Sequence, residues 1–259
     1  MPDLIVCSPL QSKETRTTMS LRALFILLSL GLSGMVHAGE RPAAIGAYMQ
    51  TLASVEGSKT AVSLEPLMAS AVAAQDALME IQGFGDQAWI ETLDDDQYQK
   101  LQNELRGFRL SRGYDVYAQP DPAFLDALAQ KLGLPADRDF FRLYRGYWNK
   151  DLLPVYLDMG KRPTPCVRFG EGVLQEQYAG WSEYVRRYPD AYTGFTRQTL
   201  ADLEEAVGLG VCTCTDTASV QRELGSFLKR FPKSPVAGKV RSRLVELKET
   251  PDLRPVLCR

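Results

Sequence analysis

The sequence is short of histidine, since its 259 residues contain only one, His37. If an N-terminal segment that includes His37 is removed after synthesis, as argued below, the remaining chain has no imidazole. That excludes Ser-His-Asp and Cys-His catalytic arrangements, because both use an imidazole as general base. The GxGxxG and GxxxxGK[ST] patterns of nucleotide-binding enzymes are also missing.

The chain has no excess of either charge sign, with 30 Lys and Arg residues against 32 Asp and Glu and a net charge of −2. A nucleic-acid partner is therefore not expected, because binding phosphates requires a concentrated basic face. The densest acidic run, Asp94-Asp95-Asp96, lacks the alternating acids, central Gly and distal Glu of a calcium-binding loop. Its simplest interpretation is an N-cap at Asp94 with further acid in the first turn of a helix. We expect no metal and no cofactor.

Long apolar runs are scarce, and the clearest one extends from Ala23 to Leu32. It follows a single charge, Arg22, and precedes the short-residue sequence Val36-His37-Ala38, which is the pattern of a secretory signal peptide. The run is too short to cross a bilayer, which takes about 20 apolar residues. We expect residues 1–38 to be an upstream extension and cleaved signal peptide starting at Met19, and the mature chain, with no transmembrane segment, to be periplasmic or secreted. The alternative is a retained N-terminal anchor helix.

Cysteines are few, and four of the five lie in the expected mature chain: Cys166, Cys212, Cys214 and Cys258. An even number of cysteines in an exported protein favours disulfides. A bond between Cys212 and Cys214 would strain disulfide geometry, so the sequence predicts Cys166 bonded to one of them and Cys258 to the other. A redox pair and a zinc site are the alternatives.

Helical periodicity dominates the mature chain, with apolar residues at steps of three and four along most of its length. One such series, Tyr98, Leu101, Leu105 and Phe108, predicts a helix that extends as far as Phe108. Asp121 and Pro122 form a predicted helix start and Gly133 a stop. Only two short strands are predicted, at 114–120 and 166–172. The predicted fold is mainly α, with an N-terminal helical region at 39–165 and a C-terminal helical-repeat region at 166–259, stapled by disulfides.

Two similar segments recur in the last third of the chain. Tyr188-Pro189-Asp190 lies 43 residues before Phe231-Pro232-Lys233, and each follows an amphipathic helix that ends in a basic pair. The pattern resembles the aromatic-Pro-x-Ser-Pro corner of tetratricopeptide-like helical pairs in periplasmic proteins. The resemblance covers Trp181–Lys248, with a period longer than the usual value of about 34, and the first copy has Ala191 and Tyr192 in place of Ser and Pro. It implies helical hairpins and a partner-binding role, whereas two ordinary hairpins are the plainer interpretation.

Two sets of residues are candidates for binding. The first set is the basic pairs Arg186-Arg187 and Lys229-Arg230, which would form one stripe suited to another envelope protein or an anionic envelope polymer. The second set is the ring-rich helix carrying Tyr144, Tyr147 and Trp148, since rings next to arginines make strong contacts. The plainer alternatives are helix-end charges for the first set and a core helix for the second.

The sequence therefore predicts a non-catalytic, exported protein-interaction module. Two alternatives remain open. One is an inhibitor or immunity protein of a cell-envelope enzyme. The other is a histidine-free hydrolase that uses carboxylates such as Glu171 with Glu176, or Glu183 alone.

Overall fold

Helices account for most of the architecture in this computed structural model, which describes residues 41–81, 86–113, 115–159, 165–209 and 213–249. The predicted signal peptide at 1–38, Cys212 and Cys258 lie outside the described residues. The described elements, in chain order, are α1 (Ala43–Glu56), α2 (Glu65–Met79), α3 (Asp95–Glu104), β1 (Phe108–Arg112), β2 (Val116–Pro120), α4 (Pro122–Leu132), α5 (Pro135–Tyr147), β3 (Leu157–Asp158), β4 (Cys166–Val167), α6 (Val173–Arg187), α7 (Thr193–Gly208), α8 (Thr217–Arg230) and α9 (Ala237–Glu249).

The helix starts follow local capping chemistry. The Asp94 carboxylate accepts the backbone N–H of Gln97, and the Gln97 side chain accepts the N–H of Asp94, so α3 begins with a complete capping box. The Asp121 carboxylate caps α4 by accepting the N–H groups of Ala123 and Phe124, with Pro122 at the first helical position and Gly133 after the last. Both predicted helix starts are confirmed.

One predicted helix end is wrong. α3 stops at Glu104, and Phe108, which we expected on that helix, begins β1. Gly107 has a φ of +79°, in the left-handed region, and a side chain there would place its Cβ 2.6 Å from the ring of Phe124. The chain therefore turns out of α3 at Gly107. The strand that follows, β1, pairs antiparallel with β2 in a hairpin. The spacing of Phe108 from Leu105 suits a helix, which is why periodicity alone missed the turn.

Helices pack largely as neighbours along the chain: α1 with α2, α4 with α5, α6 with α7 and α8 with α9. One continuous apolar core joins them, and the described residues belong to a single compact unit, Ala38–Arg259. The short β3–β4 pair links the two predicted regions, with Asp158 opposite Cys166. Among the described helices, none combines the length and the apolar character needed to cross a membrane.

A disulfide joins Cys166 to Cys214, with their Cα atoms 5.1 Å apart. The backbone N–H of Cys214 also donates to the carbonyl of Val167, so the bond reinforces a backbone bridge. One predicted link between Cys166 and the Cys212/Cys214 pair is thereby confirmed, and Cys214 is the partner.

Candidate docking groove

The ring-rich helix α5 lies inside the protein. Tyr144 and Tyr147 are 2% and 3% exposed, and Trp148, just beyond the helix, is half-buried. The prediction that these rings form a binding surface is therefore wrong for Tyr144 and Tyr147, because rings this deeply buried cannot reach a partner. The sequence placed them on one helix face but could not tell whether that face points to solvent or to neighbouring helices.

The buried rings form one large aromatic cluster. Its members contact one another with ring centroids at most 6.4 Å apart, mostly edge to face. The closest contact stacks Tyr192 on Phe140 at 3.7 Å. The cluster draws residues from α5, α6 and the start of α7: Phe140, Phe141, Tyr144, Tyr147, Trp148, Trp181, Tyr184, Tyr192 and Phe195. It reaches the protein surface at Phe195, which is half-buried.

The first basic pair is already engaged within the protein. Arg186 makes a charge-assisted contact with Glu183, and Arg187 lies 3.1 Å from Asp139. This pairing lowers the pKa of Glu183, chiefly through the hydrogen bond from Arg186. An exposed carboxylate with a lowered pKa is a poor general acid, so Glu183 does not favour the hydrolase alternative.

The second basic pair, Lys229-Arg230, ends α8, where positive charge complements the helix dipole. Arg230 also lies over the ring of Phe231, 5.3 Å from its centroid. No ion pair holds either residue among the described part of the chain. The two pairs thus occupy matching helix ends but differ in their partners.

The corners after these pairs have the same backbone pattern. Tyr188 donates its N–H to Tyr184 at 2.8 Å, and Phe231, 43 residues later, donates to Phe227 at 2.7 Å. The corners are nevertheless set apart, because Phe231 packs on Tyr178, with centroids 4.9 Å apart. Tyr178 precedes Tyr188 by ten residues on α6, which is about 15 Å along the helix axis. The structure therefore does not bring the two corners side by side.

A groove opens between the first turns of α2 and α7. Its volume is about 500 Å³, and two other cavities in the described chain are smaller, at about 210 and 140 Å³. The lining is mainly apolar: Met68, Ala69 and Val72 from α2, and Tyr192, Gly194 and Phe195 from the start of α7, with Glu65 on the rim. We call this the α2–α7 groove. Its size lies within the range of pockets that bury ligands or partner side chains, about 300–1,000 Å³.

Tyr192 fixes the floor of the groove. Its φ is +52°, a left-handed conformation that costs free energy for a residue with a side chain. Two contacts hold it there: its N–H donates to Glu65 at 2.8 Å, and its hydroxyl donates to the buried carboxylate of Asp137 at 2.5 Å. Asp137 also accepts the backbone N–H groups of Leu64 and Leu134. The groove is therefore built on a rigid junction of α2, α5 and α7.

Among the described residues that line the groove, Glu65 is the charged one. Glu65 lies in the first turn of α2 and accepts the N–H at the start of α7, so its carboxylate compensates the positive ends of both helices. Burial, together with the hydrogen bond to Asp137, raises the pKa of the Tyr192 hydroxyl and keeps it neutral. The groove thus offers an apolar surface with one acidic group at its rim.

The described ranges contain no cluster of three or more His, Cys, Asp or Glu residues placed to hold a metal ion. Glu171, one of the predicted candidate carboxylates, is paired with Arg168, and Glu176 is exposed on α6. The buried carboxylate of Glu223 accepts the N–H groups of Gly170 and Gly172, so it holds the turn that leads into α6.

Sequence reasoning missed the α2–α7 groove. Its two walls come from segments that are 127 residues apart, as the hydrogen bond from Tyr192 to Glu65 shows. The α2 segment contains no motif, and the exposed Val72 looks like an ordinary surface residue. Tyr192 belongs to the first aromatic-Pro corner, where it stands in place of Pro, but nothing in that pattern links it to α2. Comparison of the chain with protein-family models, curated proteins and solved structures finds no match. The groove therefore has to be interpreted from its own chemistry.

Proposed function

We propose that this chain is a non-catalytic, exported protein-interaction module, and that a partner protein of the cell envelope docks in the α2–α7 groove. The observation that carries the proposal is the groove itself, an apolar opening of about 500 Å³ with a rigid floor. Concave and mainly apolar pockets of this size are where proteins usually bind ligands. The disulfide between Cys166 and Cys214 supports export, because disulfides persist in oxidising compartments.

A protein partner fits better than an anionic polymer. Binding such a polymer would depend on free positive charge, and Arg186 and Arg187 are already paired with Glu183 and Asp139, which leaves Lys229 and Arg230 as the part of the predicted stripe without an ion pair in the described chain. The groove instead presents apolar side chains next to a carboxylate. We also infer that α6–α7 and α8–α9 are two related helical pairs, and the similar backbone angles at their corners support this, with φ −133° and ψ 70° at Tyr188 and φ −125° and ψ 59° at Phe231.

The test fills the groove and measures partner capture. Gly194 is suited to this, because a Cβ added there meets no atom within 4 Å. Gly194→Leu should therefore fold normally while placing an apolar side chain in the groove. Gly46→Leu is the matched control, since Gly46 lies in the first turns of α1, is exposed and also has open space around it.

Wild-type protein and both variants are used as affinity baits in envelope extract. The proposal predicts a protein that co-purifies with the wild type and with Gly46→Leu but is lost with Gly194→Leu, at unchanged melting temperature. Equal capture by all three baits, or no specific protein with any bait, would refute a docking role for the groove.

A further inference from the structure

Three features of the α2–α7 groove together indicate what kind of segment it takes. The first is the shape of its lining. Met68 and Tyr192 are each 4% exposed and form the base, while Val72 is 39% exposed on one wall. Ala69 and Gly194 are small and exposed at the mouth. Small residues at the mouth over an apolar base leave room for side chains that enter from outside.

The second feature is unused hydrogen-bonding capacity at the start of α7. The N-cap, Tyr192, provides no side-chain cap, and the first helical hydrogen bond comes from Thr196. Within the described chain, the backbone N–H groups of Thr193, Gly194 and Phe195 have no acceptor. Such groups at a helix start are satisfied by water or by a ligand. A peptide backbone has neutral carbonyl groups that can accept from them, whereas a pure hydrocarbon does not.

The third feature is charge. A free helix start attracts anions, but here the Glu65 carboxylate already accepts the N–H of Tyr192 beside that start and lies on the groove rim. A second carboxylate close to Glu65 would be repelled, and a Lys or Arg would be attracted. The groove therefore discriminates against acidic segments and fatty-acid headgroups.

We infer that the groove binds a linear segment of the partner protein that carries apolar anchor residues next to a Lys or Arg. The apolar side chains fill the space above Met68 and Phe195, the backbone carbonyls accept from the start of α7, and the basic residue pairs with Glu65. This inference rests on the proposed function and specifies its partner.

The test is selection from a random 12-residue peptide library displayed on phage. Wild-type protein is the target, and recovered peptides are then measured for binding to Gly194→Leu, Gly46→Leu and Glu65→Gln. Glu65→Gln keeps an oxygen that can accept the N–H of Tyr192 but removes the charge. Decanoate is titrated separately as a probe for a small apolar anion.

We expect peptides with apolar residues and a Lys or Arg that bind the wild type and Gly46→Leu equally and Gly194→Leu at least tenfold more weakly. Binding to Glu65→Gln should fall about three- to tenfold, and the fall should vanish when the basic residue of the peptide is replaced by Gln. Peptides that depend on the groove but are acidic or insensitive to Glu65→Gln would overturn the inference. So would groove-dependent binding of decanoate without any groove-dependent peptide.

The two proposals fail in different ways. If Gly194→Leu abolishes capture of the envelope protein while no basic apolar peptide is selected, the linear-segment inference falls and the docking role stands. If capture is unaffected by Gly194→Leu, the docking role itself falls.

Discussion

The junction beneath the groove can be tested by removing single hydrogen bonds around Asp137. This carboxylate is 2% exposed, and it accepts from Leu64 at 3.0 Å, Leu134 at 2.8 Å and the Tyr192 hydroxyl at 2.5 Å. A hydrogen bond to a charged group contributes about 1.5–3 kcal/mol to stability. Tyr192→Phe removes one such bond and keeps the ring stacked on Phe140, so it should lower the free energy of unfolding by about 1.5–3 kcal/mol.

Substitutions of Asp137 should cost more. In Asp137→Ala, the buried donors of Leu64 and Tyr192 lose their acceptor, and each unsatisfied donor costs about 1–3 kcal/mol, so we expect a loss of about 3–5 kcal/mol. Asp137→Asn keeps one acceptor but turns an amide toward a donor, and about 2–3 kcal/mol should be lost. Because Asp137 and Tyr192 share a bond, the double variant Asp137→Asn/Tyr192→Phe should cost at least about 1 kcal/mol less than the sum of the singles.

The assay is urea unfolding followed by tryptophan fluorescence and circular dichroism. Tyr188→Phe is the matched control, because the Tyr188 hydroxyl donates to a carboxylate in the same way, at 2.9 Å to Asp139, but at the protein surface. It should leave the unfolding midpoint nearly unchanged. The reasoning is refuted if Tyr188→Phe costs as much as Tyr192→Phe, or if Asp137→Asn costs less than about 0.5 kcal/mol.

Three further predictions concern other parts of the protein. Burial is the main cause of a raised pKa in five tyrosines. Because these tyrosines ionise near pH 10 only in the unfolded chain, the urea midpoint should stay constant below about pH 10 and fall as the pH rises further. A urea midpoint that is unchanged up to pH 11 would contradict this prediction. The five are Tyr48, Tyr144, Tyr147, Tyr184 and Tyr192. Arg243 donates to two carbonyls at the end of α7, and its burial lowers the pKa of its guanidinium to about 10. Arg243→Met should therefore lower the free energy of unfolding by about 1–3 kcal/mol. An unchanged urea midpoint would disprove the role of Arg243 as a cap. Because Cys214 is bonded to Cys166, non-reducing peptide mapping of the protein purified from its native host should show Cys212 bonded to Cys258, and free thiols at both would contradict the prediction.

Local features of the fold could be predicted from the sequence because they depend on neighbours. The caps at Asp94 and Asp121 need only the next three residues, and the helical stripes repeat within each helix. The link from Cys166 to Cys214 followed from a count of cysteines and a geometric exclusion, although the choice between Cys212 and Cys214 required the structure.

The features that decide the candidate site are non-local. Periodicity gave the ring positions on α5 but not the direction they face, and Tyr144 and Tyr147 proved to be interior. The groove depends on Glu65 meeting Tyr192 across 127 residues of sequence. Such contacts are set by how helices pack, and the periodicity and motifs of a single sequence do not show which helices will be neighbours.

Position-specific photo-crosslinking in the native host can show whether a partner contacts the α2–α7 groove. A benzoylphenylalanine residue is placed at Ala69, which is exposed at the groove mouth, or at Gly46 as control. A docking role for the groove predicts a discrete protein adduct from Ala69 and none from Gly46, and the adduct should disappear when Gly194→Leu is added. An adduct that survives Gly194→Leu, or crosslinking that is as strong from Gly46 as from Ala69, would contradict it.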